Sequence, residues 1–232
     1  TLDIDAVQEQ MPARGISPKA VIEGPPTRKH PILLRQTSFK ALNESVRFTD
    51  QDGADLGSHT ARFGEIEQRG AALTAKGRDL YDQLLAATRD EMGGAPTESN
   101  AQRYYQTLEK HFSAFPDDLT ELFKDELAYF IFTPTAQGMA KAGQFPANTT
   151  ITQLIEQGDV SIDAIVYEDF LPVSAAGIFQ SNLGDNGAAE YTQLSNQDLF
   201  ERDLGQTVID EQALYQEQSE RSLASCLAQL GL

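Results

Sequence analysis

Glu65 and Glu67 stand two residues apart inside SHTARFGEIEQRGAALT, residues 58–74. Residues 61–70 read as a strand of alternating character. Period two puts Phe63, Glu65, Glu67 and Arg69 on one face, with Arg62, Gly64, Ile66 and Gln68 on the other. Two acids and a cation on one strand face admit two readings. On a solvent-facing strand Glu67 and Arg69 would simply screen each other, which is ordinary in antiparallel sheets. On the inner wall of a curved sheet Glu65 would be a metal ligand, since a buried carboxylate needs a cation, hydrogen bonds or a metal to stay charged.

A second stretch, YEDFLPVSAAGIFQSNL at residues 167–183, sets a proline, small residues and a glycine after an apolar strand. Such backbone can approach a ligand closely and offer N–H groups to an anion, although a tight connection reads the same way. The three histidines form no pair at metal-ligand spacing. His30 lies in a loop, and His111 sits beside Lys110 on a helix. His59 falls six residues before Glu65, outside the expected strand. There is no phosphate-binding glycine loop, no nucleophile elbow and no cysteine pair for zinc.

The elements that must position these groups follow in order. An N-terminal helix starts almost at residue 1 and ends near Arg14 and Gly15, with Pro12 expected to end it early. Strands are predicted over 16–22, 31–42 and 46–49, and the Glu65 strand closes the set. Thr74 caps a helix running through Thr88, a second helix covers 99–115, and a third starts after Pro116 and carries Leu119 through Phe130. Residues 133–150 read as loop, 151–158 as a short helix and 161–167 as an apolar strand. From Ser195 the chain is acidic and helical. The class expected is α+β.

With 232 residues, 40% of them hydrophobic and 23% charged, the chain can bury a sizeable core. A net charge of −17 argues against nucleic-acid binding. No apolar run approaches membrane-spanning length, and no leader is evident, so no membrane partner is expected. The single cysteine, Cys226, excludes an internal disulfide and fits a reducing compartment. A cytoplasmic location is expected.

The segments PILLRQTSFKAL, SHTARFGEIEQRGAALTAKGRDLYD and YEDFLPVSAAGIFQSNL resemble the 2-oxoadipate dioxygenase/decarboxylase family, within the vicinal-oxygen-chelate superfamily. FGEIEQR is also similar to the Glu-Ile-x-Gln-Arg strand of hydroxyphenylpyruvate dioxygenase. The resemblance implies an Fe(II) enzyme that converts 2-oxoadipate and O2 to D-2-hydroxyglutarate and CO2 in lysine breakdown. It implies that Glu65 is the catalytic metal carboxylate and Glu67 is not. It also implies that Val173, through its backbone, and Ser174 meet the far carboxylate of the substrate. Gln36, Glu67 and Arg69 are candidates to brace the ligand.

The same resemblance implies a β-α-β-β-β module over residues 1–73 that lacks its first strand. A helical insertion over 74–150 and a substrate-contacting region over 151–232 complete the division. Two histidine ligands would come from an N-terminal half outside this sequence. The chain is therefore expected to be a C-terminal part, inactive alone, whose partners are that half, O2 and a 2-oxo dicarboxylic acid. The alternatives are the same metal scaffold acting on another 2-oxo acid, and a non-catalytic module that binds a carboxylate or a partner chain.

Overall fold

Asp3 opens the first helix, α1 (Ile4–Ala13), by accepting a hydrogen bond from the Ala6 N–H at 3.0 Å. Ile4 and Met11, two turns apart, are its buried face. The computed structural model describes residues 3–46, 57–94, 96–168 and 201–232, with backbone alone for 40–44, 46 and 57–65. Pro12 does not shorten α1, which runs on to Ala13. Proline in a last turn forfeits one bond, and here the Arg14 and Gly15 N–H groups still close onto the Met11 and Pro12 carbonyls. Gly15, at φ +73°, then ends it.

Three strands pair antiparallel in the order β1 (Ser17–Pro18), β2 (Leu34–Val46), β3 (Gly57–Arg69). The strand expected over 16–22 shrinks to two residues because Pro18 has no N–H to donate. One further bridge, Glu23 with Gln36, carries the pairing on. The strand expected over 46–49 is not separate: Val46 is the last residue of β2, and 47–49 lie outside the described residues. Arg35 and Thr37 project from β2 onto α1. The Thr37 hydroxyl donates to Gln8 Oε1 at 2.6 Å, and Arg35 grips Asp5.

Residues 70–74 lead from β3 into α2 (Ala75–Met92) and stitch two sheets together. Gly70 N–H donates to Leu33 O, Ala72 N–H to Ile165 O, and Tyr129 N–H to Ala72 O. A side chain at Gly70 would lie 2.2 Å from the Pro31 carbonyl carbon, so only glycine fits this crossing. Its neighbour across the crossing, Leu33, is buried at φ +48°, a strained conformation that its bonds to Gly70 and Ala71 over-determine.

Beyond α2 come α3 (Ala101–Phe112), α4 (Leu119–Lys124), β4 (Phe130–Pro134), α5 (Ala136–Ala140), α6 (Ile151–Glu156), β5 (Val160–Ala164) and α7 (Glu211–Leu230). Thr74 caps α2 as expected, accepting from the Gly77 N–H. Phe130 does not continue the third helix. Glu126, at φ +55°, stops α4, and Phe130 begins a strand whose alternate residues are buried. Residues 133–150 are not all loop either, since they include the end of β4 and the whole of α5. Strands β4 and β5 pair antiparallel, and α7 covers β4 with Ser222 Oγ accepting from the Phe132 N–H. Among the described residues the architecture is α+β with two small antiparallel sheets. No described helix is long and apolar enough to cross a membrane.

Candidate active site

Glu65 lies where the β2–β3 ladder breaks step. Thr37 pairs with Ile66 and Phe39 with Phe63, so Ser38 stands against both Gly64 and Glu65. This is a β-bulge, a device that bends a strand and re-aims what it carries, often beside an active site. It also corrects the uninterrupted alternation expected of this strand. Phe63 takes a register position in step with Ile66, not with Glu67 and Arg69. The Glu65 side chain, and Val173 and Ser174 entirely, lie outside the described residues.

Gln36, Glu67 and Arg69 come together on the face of the sheet opposite Arg35 and Thr37. Gln36 pairs with Glu67 across the ladder, and all three are half-buried. Glu67 Oε2 accepts from Arg69 Nε at 3.2 Å and from Nη2 at 3.0 Å. The remaining guanidinium nitrogen, Nη1, donates to Glu168 Oε2 at 3.0 Å and to Tyr167 O at 3.4 Å. Arg69 thus holds a carboxylate of its own strand and one from the chain leaving β5. Tyr215, on α7, closes the group: its hydroxyl accepts from the Glu168 N–H at 2.9 Å and donates to Glu168 O at 3.2 Å.

The opposite face holds a pair that sequence reasoning did not single out. Arg35 is almost fully buried and meets both Asp5 oxygens at 2.7 Å, while Nη1 also reaches Gln68 Oε1 and Nε reaches Pro25 O. Hydrogen bonding from Arg35 holds the Asp5 carboxyl below its ordinary range, against partial desolvation. The available signal was one arginine at an inward position of the apolar run ILLRQTSF. Its partner, 30 residues away, carried none.

Among the described residues no three of His, Cys, Asp or Glu are placed to hold a metal ion. His111 Nε2 is bound to Glu91 Oε2 at 2.9 Å, and the His30 backbone N–H donates to Asp117. His59 lies within β3, opposite Glu44, because the strand starts earlier than its polar sequence suggested. The described donors therefore do not fit a metal by themselves.

The family model described as 2-oxoadipate dioxygenase/decarboxylase matches residues 1–182. The protein of that name from Pseudomonas putida is 61% identical over all of this chain and 50% of its own length. The Escherichia coli protein of the same name is 49% identical over 97% of this chain and 48% of its own length. The crystal structure of hydroxyglutarate synthase in complex with 2-oxoadipate, from Pseudomonas putida, superposes with a TM-score of 0.81 at 56% identity. It covers 100% of this chain and 49% of that one. The chain spans about half the length of the curated relatives it matches. A match over most of the sequence, with an α+β fold superposing along its whole length, places this chain in the 2-oxoadipate dioxygenase/decarboxylase family.

Proposed function

We propose that this chain supplies the metal carboxylate, Glu65, and the substrate-contacting residues Val173 and Ser174 of an Fe(II)-dependent 2-oxoadipate dioxygenase/decarboxylase. Its product is D-2-hydroxyglutarate, with loss of CO2. One observation carries the reading: end-to-end superposition, at 56% identity, on a hydroxyglutarate synthase whose structure holds 2-oxoadipate. The chemistry is self-contained, because 2-oxoadipate plus O2 equals 2-hydroxyglutarate plus CO2 atom for atom, with no outside reductant. The iron supplies the O2 and 2-oxo acid chemistry when bound.

The N-terminal helix followed by the antiparallel β1-β2-β3 sheet supports a vicinal-oxygen-chelate module over residues 1–73. The remaining ligands belong, on this reading, to the other half of the length that the relatives carry. Glu67 is committed to Arg69, which favours Glu65 as the strand's one metal carboxylate. The half-buried ion pair also keeps that face of the sheet charge-compensated.

The reading is tested by Glu65→Gln in the intact enzyme, both halves included. Bound iron, measured by elemental analysis after gel filtration, is expected to fall about ten-fold or more, and 2-oxoadipate-dependent O2 uptake with it. Undiminished iron content in the folded variant would remove Glu65 from the metal.

A further inference from the structure

Strand β2 loses step on both of its edges at one point, and α1 supplies the group that bridges the gap. On the β3 side Ser38 stands against both Gly64 and Glu65. On the β1 side the Lys19 N–H donates to Ser38 O at 2.8 Å, and the ladder resumes only at Glu23, paired with Gln36. Residues 20–22 lie between, and the Ile22 N–H turns instead to the Tyr105 hydroxyl. Such a detour leaves the Lys19 carbonyl to be satisfied from outside the ladder. Gln8, half-buried on α1, does this: its Nε2 donates to Lys19 O at 2.6 Å, and its Oε1 accepts from the Thr37 hydroxyl at 2.6 Å. Thr37 is fully buried, so its hydroxyl has no recourse to water. An amide suits both partners, since a carboxylate lacks the donor and an ammonium the acceptor.

We propose that Gln8 is a positioning residue: by tying the start of that detour to Thr37, it fixes the β2–β3 bulge and so the register at which Glu65 is held. The inference rests on the assignment of Glu65 to the metal given above. Thr37 pairs with Ile66, the residue after Glu65, and Ser38 opposes Glu65 itself. Every step from α1 to the carboxylate strand is therefore a hydrogen bond or a backbone pair. The ladder on one side of Ser38 is one residue out of step with the ladder on the other. Were the step to fall one pair further on, Glu65 would sit in the ladder directly opposite Ser38, and the extra residue would pass along the strand. Gln8 holds the step where it is because only this placement leaves Thr37 and Lys19 O within reach of one amide.

The test uses the intact enzyme, both halves included, with Gln8→Leu, Thr37→Val and Thr37→Ser. Ile4→Val serves as a control that thins the buried face of α1 and leaves both hydrogen bonds in place. Amide hydrogen exchange over 62–68 is followed by mass spectrometry, and bound iron by elemental analysis after gel filtration. Thermal melting checks that each variant is folded. Gln8→Leu and Thr37→Val are expected to speed exchange over 62–68 about ten-fold, the scale of one buried hydrogen bond, and to lower bound iron about three-fold or more. Thr37→Ser, which keeps the hydroxyl, and Ile4→Val are expected to match wild type in both. Unchanged exchange in folded Gln8→Leu and Thr37→Val, or equal acceleration in Ile4→Val, would overturn the proposal. So would faster exchange with full iron content, provided that Glu65→Gln does lose iron. If Glu65→Gln keeps its iron as well, the functional reading falls instead, and the exchange data alone decide whether Gln8 locks the bulge.

Discussion

Arg35 is the most telling single residue outside the candidate site, because a buried cation on an otherwise apolar strand must be paid for locally. Asp5 does so through a bidentate ion pair at 2.7 Å, and the geometry pins α1 to β2. The Asp5 carboxyl titrates below its ordinary range, mainly through hydrogen bonding from Arg35. A group depressed in the folded state stabilises the fold above its unfolded pKa, and that contribution disappears as pH falls through the folded pKa. Asp5→Asn should therefore lower the melting temperature at pH 6. The gap from wild type should narrow from about pH 4 downward. A gap of constant size down to pH 2.5 would refute the linkage. The Glu67–Arg69 partnership was legible from residue types at period two. What alternation could not reveal was the bulge opposite Ser38, since a one-residue insertion in the ladder leaves no mark on composition. The third arm of Arg69, onto Glu168, was hidden for another reason: it joins residues 99 apart.

Elements with a capping residue and a clear apolar period were readable in advance, as Thr74 before α2 illustrates. Strand β4 was not, because Leu119, Leu122, Phe123 and Leu127 set up a helical period that Phe130 happens to extend. The break at Glu126 is a backbone event, a positive φ at a residue that rarely adopts one. Close approach between elements is equally silent, and Gly77 shows it. A Cβ there would lie 2.0 Å from Leu127 O, the carbonyl that also accepts from the Thr74 N–H. Helix propensity favours Gly77→Ala by about 1 kcal/mol. Overpacking against backbone that cannot yield costs about 1–3 kcal/mol, and clash should win. Gly77→Ala is expected to lower the melting temperature by about 2–8 °C. Gly94→Ala, with nothing within 4 Å, should leave it nearly unchanged. Equal melting temperatures for the two variants would show that α2 can shift without cost.

Across the whole molecule, one hydrophobic cluster runs from Val21 and Ile32 beside the first sheet, through Tyr81 and Phe112, to Cys226 and Leu230 on α7. Tyr81 and Phe112 meet edge to face at 5.4 Å, so α2 and α3 share that core rather than merely abut. Leu230 is fully buried at the last turn of α7, and its carbonyl accepts from the Gly143 N–H at 2.8 Å. If α7 were a separately docked helix, damage at its end would loosen α7 alone. A continuous close-packed core instead spreads the loss, because every element in it depends on the same burial. Leu230→Ala should cost about 2–5 kcal/mol, the range for deleting a buried leucine side chain. With no tryptophan in the chain, tyrosine fluorescence and far-ultraviolet circular dichroism serve as probes. Both are expected to report the same lowered urea midpoint. Hydrogen exchange should then accelerate in α2 and α3 as well as in α7. Faster exchange confined to residues 211–230, with the α2 and α3 amides protected as in wild type, would show that the C-terminal helix folds against a core already complete without it.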